Sequence, residues 1–559
     1  MLENKAILEF DFSGAESKHG LWKNILVKVT SIFFLVILTS YQDPSIKIQN
    51  FQVQYKSIDL QLDLQSRVYS IFNLNCEEAI NDISWKLNQQ VKSFYEGREF
   101  QPVWTNDFET NQFYNSFIYL LDSAKYYGFP YDYFQTEGIQ SLKSEFINSK
   151  SLESRVNLEL ATTFSAFKFM LYLNRGILEE GDSFEHVEFM ESLPSVLENA
   201  LSNNSFRNEI LALQPDLIQF KRIVSSLPNF IDLQLSIKFT TPKFIDESLL
   251  AKALFYAGVS ESAQIDTNDN NLRAIYKLQE QFNLPKDSVL NMPTHQALVS
   301  LLQYRYYQAS LNLNRLRKLQ NKEENFLFVN IPEFRLHVIE SKLETETFNV
   351  IVGKKETPTP VFSSNIEKVI TNPYWTVPKS IANDMLPKIR KDSTYLKKNG
   401  FYVINGREQE VDMSIIDWNS PDPLGTKYWL RQKNSPSNAL GLVKIIFPNE
   451  HSVYLHDTPS RGLFNEKTRT FSYGCIRLEE PDRLAQYLAD KFYSESKFDI
   501  KKLISTNNSS EISLAERVKI HIQYITCSGK DNSDMEFYGD IYNLDRDEIT
   551  AIFPVLLEI

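Results

Sequence analysis

The residues best suited to chemistry lie in one stretch, V-Y-L-H-D-T-P-S-R-G-L-F-N-E-K-T-R-T-F-S-Y-G-C-I-R from Val453 to Arg477, where His456 precedes Cys475 by 19 positions. A free thiol has a pKa of about 8.5, so a nucleophilic Cys at neutral pH needs an imidazole to take or hold its proton. His456 has a strand-like lead-in, V-Y-L, whereas His451 follows Pro448-Asn449 in a turn. Gly474 lets the backbone bend directly before Cys475 and aim main-chain N–H groups at one point, which is how an oxyanion hole is built without side chains. The chemistry implied is attack of Cys475 on a carbonyl carbon. On composition alone a Cys after Gly is more often a small buried hydrophobe, so the surrounding pattern has to separate the two readings.

That pattern is H-D-T-P followed by S-Y-G-C-I-R. It resembles the signature of the L,D-transpeptidases that build peptidoglycan cross-links: a His, a gap, then Ser/Thr-His-Gly-Cys and an Asn or Arg. Tyr473 stands where many members have the second His. The resemblance implies that Cys475 attacks the carbonyl of the third, meso-diaminopimelate-type residue of a donor tetrapeptide stem and expels the terminal D-Ala. An amine of a neighbouring stem then resolves the thioester into a 3-3 cross-link. It further implies His456 as base and then acid, steered by a carbonyl or side chain at Asp457, with N–H groups of Tyr473, Gly474 and Cys475 around the oxyanion. Carbapenem β-lactams are expected to acylate the same thiol.

Other residues are candidate substrate contacts. Arg477 could grip a stem-peptide carboxylate bidentately or form a structural ion pair. Tyr374 and Trp375, in an apolar run between prolines, could floor a groove or pack a core. Ser472 and Asn438 complete the set. The insertion 379–432 falls where the family carries a lid over the cleft, and excluding water would favour transfer to an amine over hydrolysis.

Composition bounds the alternatives. The chain has 559 residues, 42% hydrophobic and 13% aromatic, enough for several folded domains. A net charge of −12 argues against nucleic acid as a partner. Seven histidines lack H-E-x-x-H or paired-cysteine spacing, so no metal or cofactor is expected. Three cysteines, Cys76, Cys475 and Cys527, make no disulfide framework, though a Cys76–Cys527 bridge is open to them. Papain-like enzymes place Cys before His, the reverse of the order here. Sortase-like transpeptidases lack this helical front end.

The expected organisation is an α+β multi-domain chain. Residues 1–45 read as a targeting segment, with Lys18, Lys23 and Lys28 ahead of the apolar run Val29 to Leu38, either a cleaved signal peptide or a signal anchor. This predicts a periplasmic or cell-envelope protein that meets the membrane only through its N-terminal segment. Residues 46–75 read as a stem. Residues 76–245 turn helical, with Val156, Leu160, Phe164, Phe167 and Leu171 giving one apolar face, and resemble the family's scaffold domain. Residues 246–304 are similar to the three-helix peptidoglycan-binding module: Gln279, Leu284, Asp287, Thr294, Ala297 and Leu298 match, while Ser288 and Met292 replace the usual glycines. A connecting helix over 305–323 leads to a mostly-β catalytic domain over 324–500, followed by a C-terminal extension, 501–559, packing on it. Two functional alternatives stay open: L,D-carboxypeptidase or amidase action on peptidoglycan, and a non-catalytic wall-binding scaffold.

Overall fold

The structure, a computed structural model, describes residues 57–72, 83–130, 133–134, 136–177, 187–203, 205–263, 268–493, 498–531 and 533–553. The targeting segment and Cys76 lie outside these residues. Among the described residues no helix is long and apolar enough to cross a membrane. The chain divides into two compact units, one of residues 1–124 with 131–214 and one of residues 125–130 with 215–559.

The first unit is helical: α1 (Ser57–Phe72), α2 (Ile83–Gly97), α3 (Gln112–Asp122), α4 (Thr136–Ser149), α5 (Leu152–Arg175), α6 (Val187–Ser202) and α7 (Phe206–Leu211). Helix α1 replaces much of the expected stem, because Leu60, Leu64 and Val68 recur at every fourth position and are buried. The Val156-to-Leu171 stripe predicts one buried face on α5. The helix is instead enclosed on nearly every side, with Asn157, Glu159, Thr162 and Thr163 buried as well. The Glu159 carboxylate accepts N–H bonds from Val103, Trp104 and Thr105 at 2.8, 2.9 and 2.8 Å, and hydroxyl bonds from Thr105 and Tyr95 at 2.7 and 2.9 Å. A buried charge is tolerated only with such partners, and these fold the aromatic segment Phe94 to Thr105 onto α5.

The second unit opens with α8 (Ile218–Phe239), α9 (Glu247–Tyr256), α10 (Asn268–Gln281) and α11 (Met292–Lys318). A boundary at 245 would leave α8 with the scaffold; it packs with the second unit because Phe220, Ile223, Leu227 and Phe230 share a core with Leu254, Leu278, Leu298, Phe326 and Phe328. The expected module end and connecting helix are one uninterrupted helix, α11, capped by Asn291, whose side chain accepts from the Thr294 N–H. The buried Gln279 staples the turn between α10 and α11: its amide donates to Asp287 at 2.6 Å and to the Thr294 hydroxyl at 3.2 Å, and its oxygen accepts from the Ser288 N–H at 2.9 Å. Ser288 sits at φ +58°, the left-handed region that suits the glycine it replaces.

Among the described residues fifteen strands follow: β1 (Phe326–Asn330), β2 (Arg335–Glu340), β3 (Leu343–Gly353), β4 (Phe362–Thr371), β5 (Trp375–Thr376), β6 (Phe401–Asn405), β7 (Glu410–Val411), β8 (Tyr428–Gln432), β9 (Val443–Ile446), β10 (Leu455–His456), β11 (Thr470–Ser472), β12 (Ile476–Leu478), β13 (Ser510–Gln523), β14 (Cys527–Gly529) and β15 (Met535–Phe537). The main sheet runs β11-β3-β12-β10-β9-β4-β13-β1-β2, and β2 also pairs β3, so it closes on itself. Strand β1 is apolar without alternation because both faces are covered: Leu327 and Val329 enter the barrel core, while Phe326 and Phe328 pack on the helices. The segment 501–559, expected to pack on the catalytic domain, also contributes a strand to its sheet. Strand β13 is inserted between β4 and β1, parallel to β1, and its Val518, Ile520 and Ile522 fill the barrel. Cys527, in β14, is a free, buried thiol.

Helices α12 (Lys379–Lys391) and α13 (Tyr395–Lys398) join the small sheet β5-β8-β6-β7 in the insertion expected as a lid. The insertion has its own core of Val377, Leu386, Ile389, Val403 and Leu430. Helices α14 (Pro481–Phe492) and α15 (Ile500–Ser505) pack on the barrel core, and α16 (Asp545–Ile552) places the buried Asp545 carboxylate 2.8 Å from Arg315 of α11.

Candidate active site

Strands β9, β10 and β12 alternate cleanly. Val443, Ile445, Leu455, Ile476 and Leu478 bury in the barrel core, so the residues between them emerge on the opposite face. The register pairs His456 with Lys444 on one side and with Arg477 on the other, which sets the three in one row across three strands. Tyr454 and Cys475 occupy the adjacent row, where the Ile476 N–H donates to the Tyr454 carbonyl at 3.1 Å. A thiol and an imidazole 19 residues apart are thereby diagonal neighbours on one surface.

His456 is buried, and its Nδ1 lies 2.5 Å from the Asp457 carbonyl oxygen. A proton on Nδ1 donated to that carbonyl leaves Nε2 with its lone pair, the tautomer a general base requires. It is the main chain of Asp457 that steers the ring. The Asp457 carboxylate is turned away, accepting from the Leu442 N–H at 2.8 Å, the Thr458 N–H at 2.6 Å and Arg461 at 2.5 Å. Gly441, at φ +58°, admits this arrangement, since a Cβ there would stand 2.3 Å from the carboxylate.

The Cys475 thiol is half-buried, with the Ser452 carbonyl oxygen 3.8 Å away. Burial pushes its pKa up, against the opposing pull of the Tyr454 N–H and phenol and of Lys444 and Arg477. His456 moves the other way: burial first, then Arg477 and Lys444, lower it to about 3 despite the Asp457 carbonyl. No hydrogen bond joins the two groups at rest. Both shifts favour the neutral forms, so attack by this thiol would require proton transfer to the imidazole.

The turn before Cys475 is held from both sides. Gly474 takes φ +105°, a left-handed conformation that suits glycine. Its N–H donates to Ser472 Oγ at 3.1 Å, and its carbonyl accepts from Thr359 at 2.8 Å. The Gly474 N–H is therefore engaged locally rather than free for an oxyanion. Of the three expected donors, Tyr473 and Cys475 are the ones whose N–H groups have no protein acceptor among the described residues. Ser472, expected to touch substrate, is buried and bonds the Cys475 carbonyl at 2.5 Å, so it braces the loop instead. Asn438 is likewise withdrawn from the cleft: fully buried, it donates to the Lys433 and Pro373 carbonyls at 2.8 and 3.2 Å and ties down the base of the insertion.

Trp375 packs against the core of the insertion, and its side chain reaches the Tyr454 phenol. This contact links the insertion to the row that carries Cys475. Tyr374 is 46% exposed, and so is Tyr473, over whose ring Lys354 Nζ sits at 4.5 Å. Arg477 lies on the face that carries Cys475, where its charge would be supported by an ionised Cys475. Two participants escaped sequence reasoning, Lys444 and Tyr454. The period-2 alternation of L-V-K-I-I and V-Y-L-H carried the signal, because it puts both on the face opposite the core.

The L,D-transpeptidase catalytic domain family, YkuD, matches residues 324–500, and the scaffold domain family matches residues 89–227. The chain thus carries a region that matches a scaffold domain, followed by one that matches an L,D-transpeptidase catalytic domain. A protein of Haemophilus influenzae, provisionally named as an L,D-transpeptidase, is 33% identical over 239 residues, 42% of this chain and 48% of that protein. The chain thus spans about half the length of this relative. The solved L,D-transpeptidase from Mycobacterium smegmatis is similar at 14% identity and a TM-score of 0.17, over 36% of this chain and 58% of that one, a likeness too slight to bear on the fold.

Proposed function

We propose that this chain is a cysteine L,D-transpeptidase that joins peptidoglycan stem peptides through a thioester. The observation that carries the reading is the placement of Cys475 and His456 on one face of the barrel, with the His456 tautomer fixed by the Asp457 carbonyl. As Cys475 Sγ bonds to the donor's carbonyl carbon, its proton passes to His456 Nε2, and the oxyanion is received by the Tyr473 and Cys475 N–H groups. His456 then returns the proton to the departing amino group of the terminal D-Ala. An acceptor amine on a second stem attacks the thioester, gives its proton to His456, and the thiol is released with a 3-3 cross-link formed. The insertion, joined to this surface through Trp375 and Tyr454, shields the thioester from water. Export by the segment 1–45 would place the reaction in the cell envelope.

The test is intact-protein mass spectrometry after carbapenem treatment, with muropeptide analysis of cells with and without the protein. A single adduct, absent in Cys475→Ala, together with 3-3 linked muropeptides that depend on the protein, is the expected result. Adducts on Cys76 or Cys527 in place of Cys475, or none, would overturn Cys475 as nucleophile.

A further inference from the structure

The row beside the nucleophile has an unusual charge pattern. Lys444 and Arg477 flank His456 directly across the strands, yet neither makes an ion pair among the described residues. Both are half-buried. The Lys444 ammonium is held over the Tyr454 ring, Nζ 4.1 Å from its centroid, which fixes the charge on the face that carries Cys475. The strand residues on either side of it, Val443 and Ile445, point into the apolar core and offer no counterion. Burial lowers the pKa of Lys444 and of Arg477, and at each only the charge of an ionised Cys475 opposes it. Two cations kept without a carboxylate, on either side of a neutral imidazole, are an arrangement that an anion completes.

We infer that Lys444 and Arg477 form a two-point carboxylate site beside Cys475, and that Lys444 thereby selects electrophiles that carry a carboxylate close to the reacting carbon. Arg477 offers a planar fork and Lys444 a point charge, so together they fix both the position and the orientation of the carboxylate. A carboxylate seated there also offsets the field that disfavours a proton on His456, so the substrate itself makes the base more effective. The inference rests on Cys475 being the nucleophile, and its test separates the two.

The full-length protein is alkylated in parallel with iodoacetate and iodoacetamide, close in size and alike in leaving group but different in charge. In each reaction the sulfur–carbon bond forms, the carbon–iodine bond breaks, iodide departs, and the thiol proton passes to His456 or water. Peptide mapping gives the rate at Cys475, and the measure is the iodoacetate-to-iodoacetamide rate ratio relative to a neutral cysteine amide in the same buffer. The wild-type ratio is expected to exceed the reference about ten-fold at low salt and to fall as salt is added. Lys444→Met should remove most of that excess, and Lys444→Arg should keep it. The ratio is internal to each variant, so a modest change in stability does not enter it. Equal ratios in wild type and Lys444→Met, with Cys475 labelled in both, would overturn the carboxylate site alone. Failure of both reagents to label Cys475 would overturn the nucleophile and the site together.

Discussion

Titrating the reactivity of Cys475 from about pH 5 to about pH 10 tests how the centre ionises. Burial, then Arg477 and Lys444, carry His456 from 6.5 down to about 3. At about 1.4 kcal/mol per pH unit this disfavours the imidazolium by about 5 kcal/mol. At pH 7 only about one molecule in 10,000 would carry that proton. The thiol is itself held above its ordinary value, so no thiolate–imidazolium pair is stored at rest. The assay is the second-order rate constant for iodoacetamide at Cys475, read by mass spectrometry at constant ionic strength. The expected profile has no inflection near pH 6.5 and climbs only above the ordinary thiol pKa of about 8.5. His456→Gln should slow the reaction at neutral pH and leave the alkaline limb in place. A sigmoidal rise centred on about pH 6 to 7, abolished by His456→Gln, would refute the reasoning, because it would mean a preformed ion pair.

Further outcomes follow from buried charges elsewhere. His337 lies 3.0 Å from Glu333 and 2.9 Å from Glu344; burial acts to lower its pKa, but the two carboxylates outweigh it and hold the group at about 9. Because the folded value exceeds the unfolded one, this stabilisation is full below pH 6.5 and is lost as pH rises through 9, about 3 kcal/mol in all, measurable by urea unfolding in wild type against His337→Gln. In the first unit, Glu159→Ala would strand the N–H groups of Val103, Trp104 and Thr105 and should cost about 3–5 kcal/mol, seen as a lowered melting transition. Replacing residues 379–432 by a short Gly-Ser turn should raise the ratio of hydrolysis to transfer, measured on donor and acceptor peptides, and an unchanged ratio in a protein that still melts cooperatively would remove the shielding role.

How much of this was legible beforehand differs by element. Strands β1, β2 and β3 were readable because F-L-F-V-N, R-L-H-V-I-E and F-N-V-I-V-G are short, apolar and bounded by turns. Helix α1 was missed because its stripe is three residues, Leu60, Leu64 and Val68, in a polar surround. The Gln279, Asp287 and Thr294 pattern was visible as a motif, but its work as a hydrogen-bonded staple of one turn appears only when the side chains meet. For the segment after residue 500, nothing local in V-K-I-H-I-Q says which strand it pairs with. The pairing with β1 joins residues nearly 200 positions apart.

The sequence by itself singled out the candidate nucleophile, the candidate base and the glycine between strand and thiol, together with the class of domain that holds them. Those assignments depend on residue chemistry and short spacing, which a linear chain displays directly. The tertiary structure alone decided who their neighbours are. Register placed Lys444 and Arg477 on either side of His456, and the next row placed Tyr454 against Cys475. Local folding bound Ser472 to the Cys475 carbonyl and engaged the Gly474 N–H, and hydrogen bonds to the Lys433 and Pro373 carbonyls hold Asn438 buried at the base of the insertion. The physical reason is that a side chain's role follows from its solvation and the charges within a few ångströms of it. In a closed sheet those are set by cross-strand pairing between segments far apart in the chain.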